Sequence, residues 1–101
     1  MGSSTIKTIE ALAQGVQVTE EALVVELVDG RTVSVPLSWY PRLIQGSPEE
    51  RDNWRPIGRG EGIHWPDLDE DISVEDLLAG RRSGESQDSL RRWSDSRRKS
   101  G

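Results

Sequence analysis

Residues 16 to 37, VQVTEEALVVELVDGRTVSVPL, alternate apolar and polar side chains and are rich in β-branched residues. That is the period of a half-buried strand, and it restricts what this chain can fold into more than any other feature. It divides into three antiparallel strands near 15–19, 22–28 and 31–37. The Asp29-Gly30 pair invites a two-residue hairpin turn, but that register would set Leu23, Val25 and Leu27 on the same face as Thr32, Ser34 and Pro36. A three-residue loop, Val28-Asp29-Gly30 with Gly30 left-handed, pairs Leu27 with Arg31, Val25 with Val33 and Leu23 with Val35 instead. Only the longer loop gives one coherent buried face, so it is the expected one.

The remaining segments predict short helices. In SWYPRLIQG, Pro41 can start a helical turn that tucks Leu43 and Ile44 inward. SPEERDNW places Ser47 as cap, Pro48 at the first helical position and Glu50 to close a capping box, for about two turns ending near Trp54. Residues 55–62, RPIGRGEG, read as a glycine-rich loop, after which Ile63 and Trp65 form a short extended segment against the sheet. Ser73 with Asp76, the apolar Val74, Leu77 and Leu78, and Gly80 define a helix over 74–79. The expected fold is α+β: a small three-stranded antiparallel sheet, with room for a fourth short strand, packed with two or three short helices.

Charge divides the chain further. Residues 81–101 carry seven Arg and Lys against three acids, and residues 1–80 carry six against fifteen, so an acidic body bears a basic tail. The tail contains almost nothing apolar except Leu90 and Trp93 and is expected to be disordered. The organisation is therefore an N-terminal extension over 1–14, one domain over 15–80, and a basic tail over 81–101. Hydrophobic residues make up only 33% of the chain, without Phe, so the core must rest on Val, Leu, Ile and four tryptophans. A domain this small has little interior in which to build a catalytic cavity, and a surface function is expected. The absence of cysteine removes disulfides, thiolate metal sites and cysteine nucleophiles. No apolar run reaches the roughly 20 residues of a membrane span, and the N-terminus lacks a signal core, so a soluble cytoplasmic protein is expected.

Three stretches invite functional readings. GIHWPDLDEDIS (62–73) gathers the single histidine, a tryptophan and four carboxylates. His64 has no second histidine beside it, and the acids lack calcium-loop spacing, so capping of helix 74–79 and pairing with Arg42, Arg51, Arg55 or Arg59 is expected rather than a metal or acid–base site. Alternation turns Ile63 and Trp65 inward and His64 outward. Arg42, His64, Asp67, Asp69 and Glu70 are thus the candidate partner-binding residues. GRGEG (58–62) lacks the Lys-Ser/Thr of a phosphate loop and is a turn. In the tail, Arg91, Arg92, Trp93, Arg97 and Arg98 interleave cations with one aromatic, the composition of a nucleic-acid contact. No catalytic residue, metal ligand or cofactor site is identified.

The blocks LVVELVDGRTVSVPLSWYPRL, SPEERDNW and GRGEGIHWPDLDEDISVEDLLAG, in this order, resemble the bacterial family known as domain of unknown function 2442, over about residues 16–80. The resemblance implies a small α+β domain from bacteria or their phages with no assigned activity. It also implies a neighbouring small protein as partner, in an arrangement like a toxin–antitoxin pair. Some relatives carry a helix-turn-helix region; this tail is too short and polar for one. The leading reading is a non-enzymatic protein-binding module whose partner is small and basic. A nucleic-acid-associated regulator acting through the tail comes second, and a metal-dependent hydrolase using His64 third.

Overall fold

The computed structural model describes residues 11–100, with side chains through Arg98. Most of the expected 1–14 extension therefore lies outside the described residues, as do Gly101 and the side chain of Lys99.

Strands β1 (Ala13–Val18), β2 (Ala22–Leu27) and β3 (Thr32–Pro36) form an antiparallel sheet in the order β1-β2-β3. Leu23 pairs with Val35 and Val25 with Val33, the register expected from the apolar pattern. The Leu27 N–H donates to Arg31 O at 2.8 Å, the Gly30 N–H returns to Leu27 O at 3.0 Å, and Gly30 has φ 95°. Left-handed backbone of this kind costs glycine nothing, so the three-residue loop closes without strain. At the other hairpin, Thr19 Oγ1 accepts the Ala22 N–H at 2.9 Å and fixes the β1–β2 turn.

A second antiparallel sheet replaces the expected glycine-rich loop and lone extended segment. It consists of β4 (Arg55–Ile57), β5 (Gly62–Trp65) and β6 (Glu70–Ser73), with β5 central. Strands of three or four residues are too short for alternation to register, which is why only the 63–65 segment was legible. Gly58 and Gly60, both at positive φ, turn the chain between β4 and β5. Gly60 also joins the two sheets: its carbonyl accepts the Ala13 N–H at 2.8 Å, and a Cβ there would stand 2.7 Å from Ala13 O.

After a 3₁₀ turn at Leu37–Trp39 come α1 (Pro41–Ile44), α2 (Pro48–Asp52) and α3 (Val74–Ala79). The capping box opening α2 forms as expected: the Glu50 N–H donates to Ser47 Oγ at 3.1 Å and the Ser47 N–H to Glu50 Oε1 at 2.9 Å. This helix stops at Asp52, before the expected Trp54. Ser73 caps α3 through the Asp76 N–H, and Gly80 ends it left-handed at φ 76°. Leu23, Val25, Leu27 and Val35 from the first sheet meet Ile63, Trp65 and Ile72 from the second in one core cluster, which also takes in Leu43, Leu68, Val74 and Leu77.

The expectation of a disordered tail is corrected, because residues Gln87–Ser100 form a fourth helix, α4. Its polar composition gave no sign of a docked element, since what tethers it is arginine and tryptophan contacts rather than a buried apolar stripe. Among the described residues, no helix is long and apolar enough to cross a membrane.

Candidate interaction site at the acidic rim

Strand alternation decides where each residue of the acidic stretch points. Across β5 and β6, Ile63 pairs with Ile72, His64 with Asp71 and Trp65 with Glu70. Ile63 and Trp65 are fully buried, as expected, and Glu70 shares their face of the sheet. Burial there, reinforced by the nearby Glu85, Asp71 and Asp69 charges and opposed by Arg42, pushes the Glu70 carboxyl up to about 7. On the opposite face, His64 Nδ1 lies 2.5 Å from Asp71 Oδ1, with the imidazole side chain one-third exposed.

Arg42, on α1, connects this rim to the tail. Its Nε donates to Glu85 Oε1 at 2.9 Å and its Nη2 to Glu85 Oε2 at 2.5 Å, a two-pronged pair. The remaining prong, Nη1, donates to Asp69 O at 2.9 Å and stands 3.5 Å from the Asp69 carboxylate. Glu85 is held below the usual carboxylate range, chiefly by the Arg42 hydrogen bond. The Arg42 guanidinium also lies 4.8 Å from the centroid of the Trp93 ring, and Arg97 approaches that ring at the same distance. From α4, Arg97 then reaches back to the body, donating to Glu50 Oε1 at 2.9 Å and to Asp67 O at 3.0 Å. Glu50 is thereby doubly employed: the Ser47 N–H, first, and Arg97 lower its pKa.

The structure thus brings Arg42, Asp69 and Glu70 together at one rim, with Asp67 supplying a backbone carbonyl beside it. The Asp67 carboxylate itself accepts Asn53 Nδ2–H at 2.9 Å. His64 faces the other side of the second sheet and shares no hydrogen bond with that group. Of the candidate nucleic-acid residues, Arg91, Arg92 and Arg98 are exposed, whereas Trp93 and Arg97 are half-buried against the body; Arg98 pairs with Asp95 of its own helix. The expected arginine partners of the acidic stretch are only partly the observed ones. Arg42 does pair with Asp69. Arg59 pairs with Glu61 at 3.6 Å, and the buried Arg51 donates to the Leu43 and Ile44 carbonyls, both at 2.8 Å. Glu85 escaped sequence reasoning because it sat in a segment expected to be disordered. Its spacing from Ser89, whose hydroxyl donates to it at 2.9 Å, and the Ser86 hydroxyl that accepts the Ser89 N–H at 3.1 Å are the local hints of helix.

Among the described residues, no group of three or more His, Asp or Glu side chains is arranged to hold a metal ion. The family model described as "Protein of unknown function (DUF2442)" matches residues 13–83, well over half of the chain. The chain belongs to the DUF2442 family. Among solved structures, this DUF2442 chain is similar to a protein of unknown function from Rhodospirillum rubrum ATCC 11170. The two are 26% identical over 75% of this chain and 94% of that one, with a TM-score of 0.64. An uncharacterised protein from Chromobacterium violaceum shares the fold at 22% identity, over 82% of this chain and 78% of its own, with a TM-score of 0.65. No curated protein matches the DUF2442 chain.

Proposed function

We propose that this DUF2442 protein is a non-enzymatic protein-binding module whose acidic rim receives a basic segment of a small partner protein, acting as that partner's antitoxin-like or regulatory companion. The observation that supports this most is Arg97. A cation carried on a helix inserts between Glu50 and the Asp67 carbonyl and rests on an aromatic ring. The rim therefore has the chemistry to hold basic helices, and the protein's own tail is the example at hand. Complementary charge of this kind speeds encounter and selects partners more than it adds affinity.

The test is capture from a lysate of the source cells on immobilised full-length chain, beside a variant carrying Glu50→Gln, Asp67→Asn and Asp69→Asn. A discrete protein retained by the natural chain and lost by the variant, more sharply at low salt, supports the reading. Equal retention by both chains refutes it. The exposed Arg91, Arg92 and Arg98 favour the nucleic-acid alternative, and titration with duplex DNA checks it: salt-sensitive binding abolished by removing those three charges would put that alternative first.

A further inference from the structure

The outer face of the first sheet carries a cavity of about 340 Å³, walled by Trp54 and lined by Gly15, Val16, Gln17, Val24 and Glu26. Its volume lies within the range of small-ligand sites. The polar groups around it are free: among the described residues, the Glu26 carboxylate, the Gln17 amide and the Trp54 indole N–H make no hydrogen bond or ion pair. Gly15 shapes the site. A Cβ at that position would stand 2.9 Å from Glu26 Oε1, so the carboxylate lies across the glycine in the cavity lining.

The other tryptophans indicate what is missing. Trp65 is core. Trp39 has the Arg82 guanidinium 5.1 Å from its ring centroid, and Trp93 has those of Arg42 and Arg97. Around Trp93 the arrangement is complete: a guanidinium lies over the indole while its N–H fork grips the Glu85 carboxylate. Trp54 and Glu26 offer the same two groups, an indole face and a carboxylate, and no described guanidinium stacks on this ring. A planar, weakly hydrated cation with a donor fork suits the pair better than an ammonium does.

We infer that this cavity is a recognition site for an arginine side chain presented by a partner chain, the guanidinium stacking on Trp54 and pairing with Glu26. This rests on the proposed reading of the protein as a protein-binding module, which supplies the source of the arginine. The acidic body, six bases against fifteen acids over residues 1–80, draws such a chain.

The experiment follows the Trp54 indole N–H resonance of the ¹⁵N-labelled full chain, assigned by its loss in Trp54→Phe. The chain is titrated with acetyl-Gly-Arg-Gly-amide and with the neutral citrulline peptide of the same shape. A saturable shift with the arginine peptide and none with citrulline is expected. Glu26→Gln should weaken binding about tenfold, the size of one charge-assisted hydrogen bond. Gly15→Ala should weaken it as well without lowering the melting temperature, because Gly15 does not use left-handed backbone and the group displaced is the end of a flexible side chain. Equal response to citrulline, no saturable response to the arginine peptide, or undiminished binding by Glu26→Gln would overturn the inference. Free arginine binding as tightly as the peptide would overturn the assignment to a partner chain. Loss of lysate capture in the acidic-rim variant alongside a silent Trp54 would refute this site alone and leave the partner reading standing.

Discussion

Glu70 should make the fold less stable as pH rises through neutrality, and Glu70→Gln should remove that dependence. The strand pair Trp65–Glu70 fixes the carboxyl on the buried face, with Glu85, Asp71 and Asp69 close enough to oppose its ionisation and only Arg42 favouring it. The folded state holds the proton to about 7, against 4.5 in the unfolded chain. With the folded value raised, the folded state binds more protons between those limits. Stability from this group is therefore fully present below about 4.5 and is lost as pH climbs to about 7 and above. Unscreened, a difference of that size amounts to about 3 kcal/mol. Glu70 is only partly buried, and screening should reduce the cost to about 1–2 kcal/mol. Urea denaturation of the natural chain and Glu70→Gln at pH 5 and pH 8 measures it: near equality at pH 5, and the glutamine chain more stable at pH 8 by about 1–2 kcal/mol. A stability difference unchanged between the two pH values, or one favouring glutamate at pH 8, would show that Arg42 outweighs burial and that the ionised carboxylate belongs to the fold.

Trp65→Ala should cost on the order of 3–5 kcal/mol in denaturant unfolding, since it empties the core and orphans the Arg51 carbonyl that now accepts the indole N–H at 3.0 Å. Trp93→Ala removes two guanidinium contacts of about 0.5–1 kcal/mol each, so amide hydrogen exchange along α4 should accelerate while protection in β2 persists. His64→Ala breaks a partly exposed pair with Asp71 and should move chemical-denaturation stability by less than about 1 kcal/mol; a larger loss would give the imidazole a structural role.

What could be read from sequence depended on whether the determining contact was local. The β2–β3 register and loop followed from face consistency alone, because one side of a long alternating run had to be buried. The caps at Ser47 and Ser73 follow from side chains reaching backbone only three residues away. The second sheet escaped because its strands are held by partners, not by their own pattern: Pro56 pairs with Ile63 and Ile63 with Ile72 across turns that no alternation marks. The tail escaped for the opposite reason. Low apolar content correctly denied it a core-facing stripe but could not reveal that Trp93 finds cations on two elements. At the candidate site, the outward turn of His64 and the inward turn of Trp65 were legible from alternation. The gathering of Arg42 with Asp69 depends on a fold-level approach between α1 and the start of β6, which only the three-dimensional arrangement supplies.

Arg51 has a consequence for anyone who would redesign this surface. The residue is 8% exposed, and its guanidinium closes the last carbonyls of α1, a helix of four residues that could not persist on its own hydrogen bonds. Charge-engineering schemes that exchange arginines for lysines to tune solubility would treat it as one cation among many. Arginine reaches the two oxygens from separate nitrogens of one rigid plane, Nε to Leu43 O and Nη2 to Ile44 O, whereas a lysine brings its three donors on one compact nitrogen at the end of a flexible stem and does not reproduce that fork. At the exposed Arg91 the exchange breaks no such fork, whereas at position 51 it would loosen the segment that carries Arg42, and with it one of the two arginine tethers of the basic helix, Arg97 being the other.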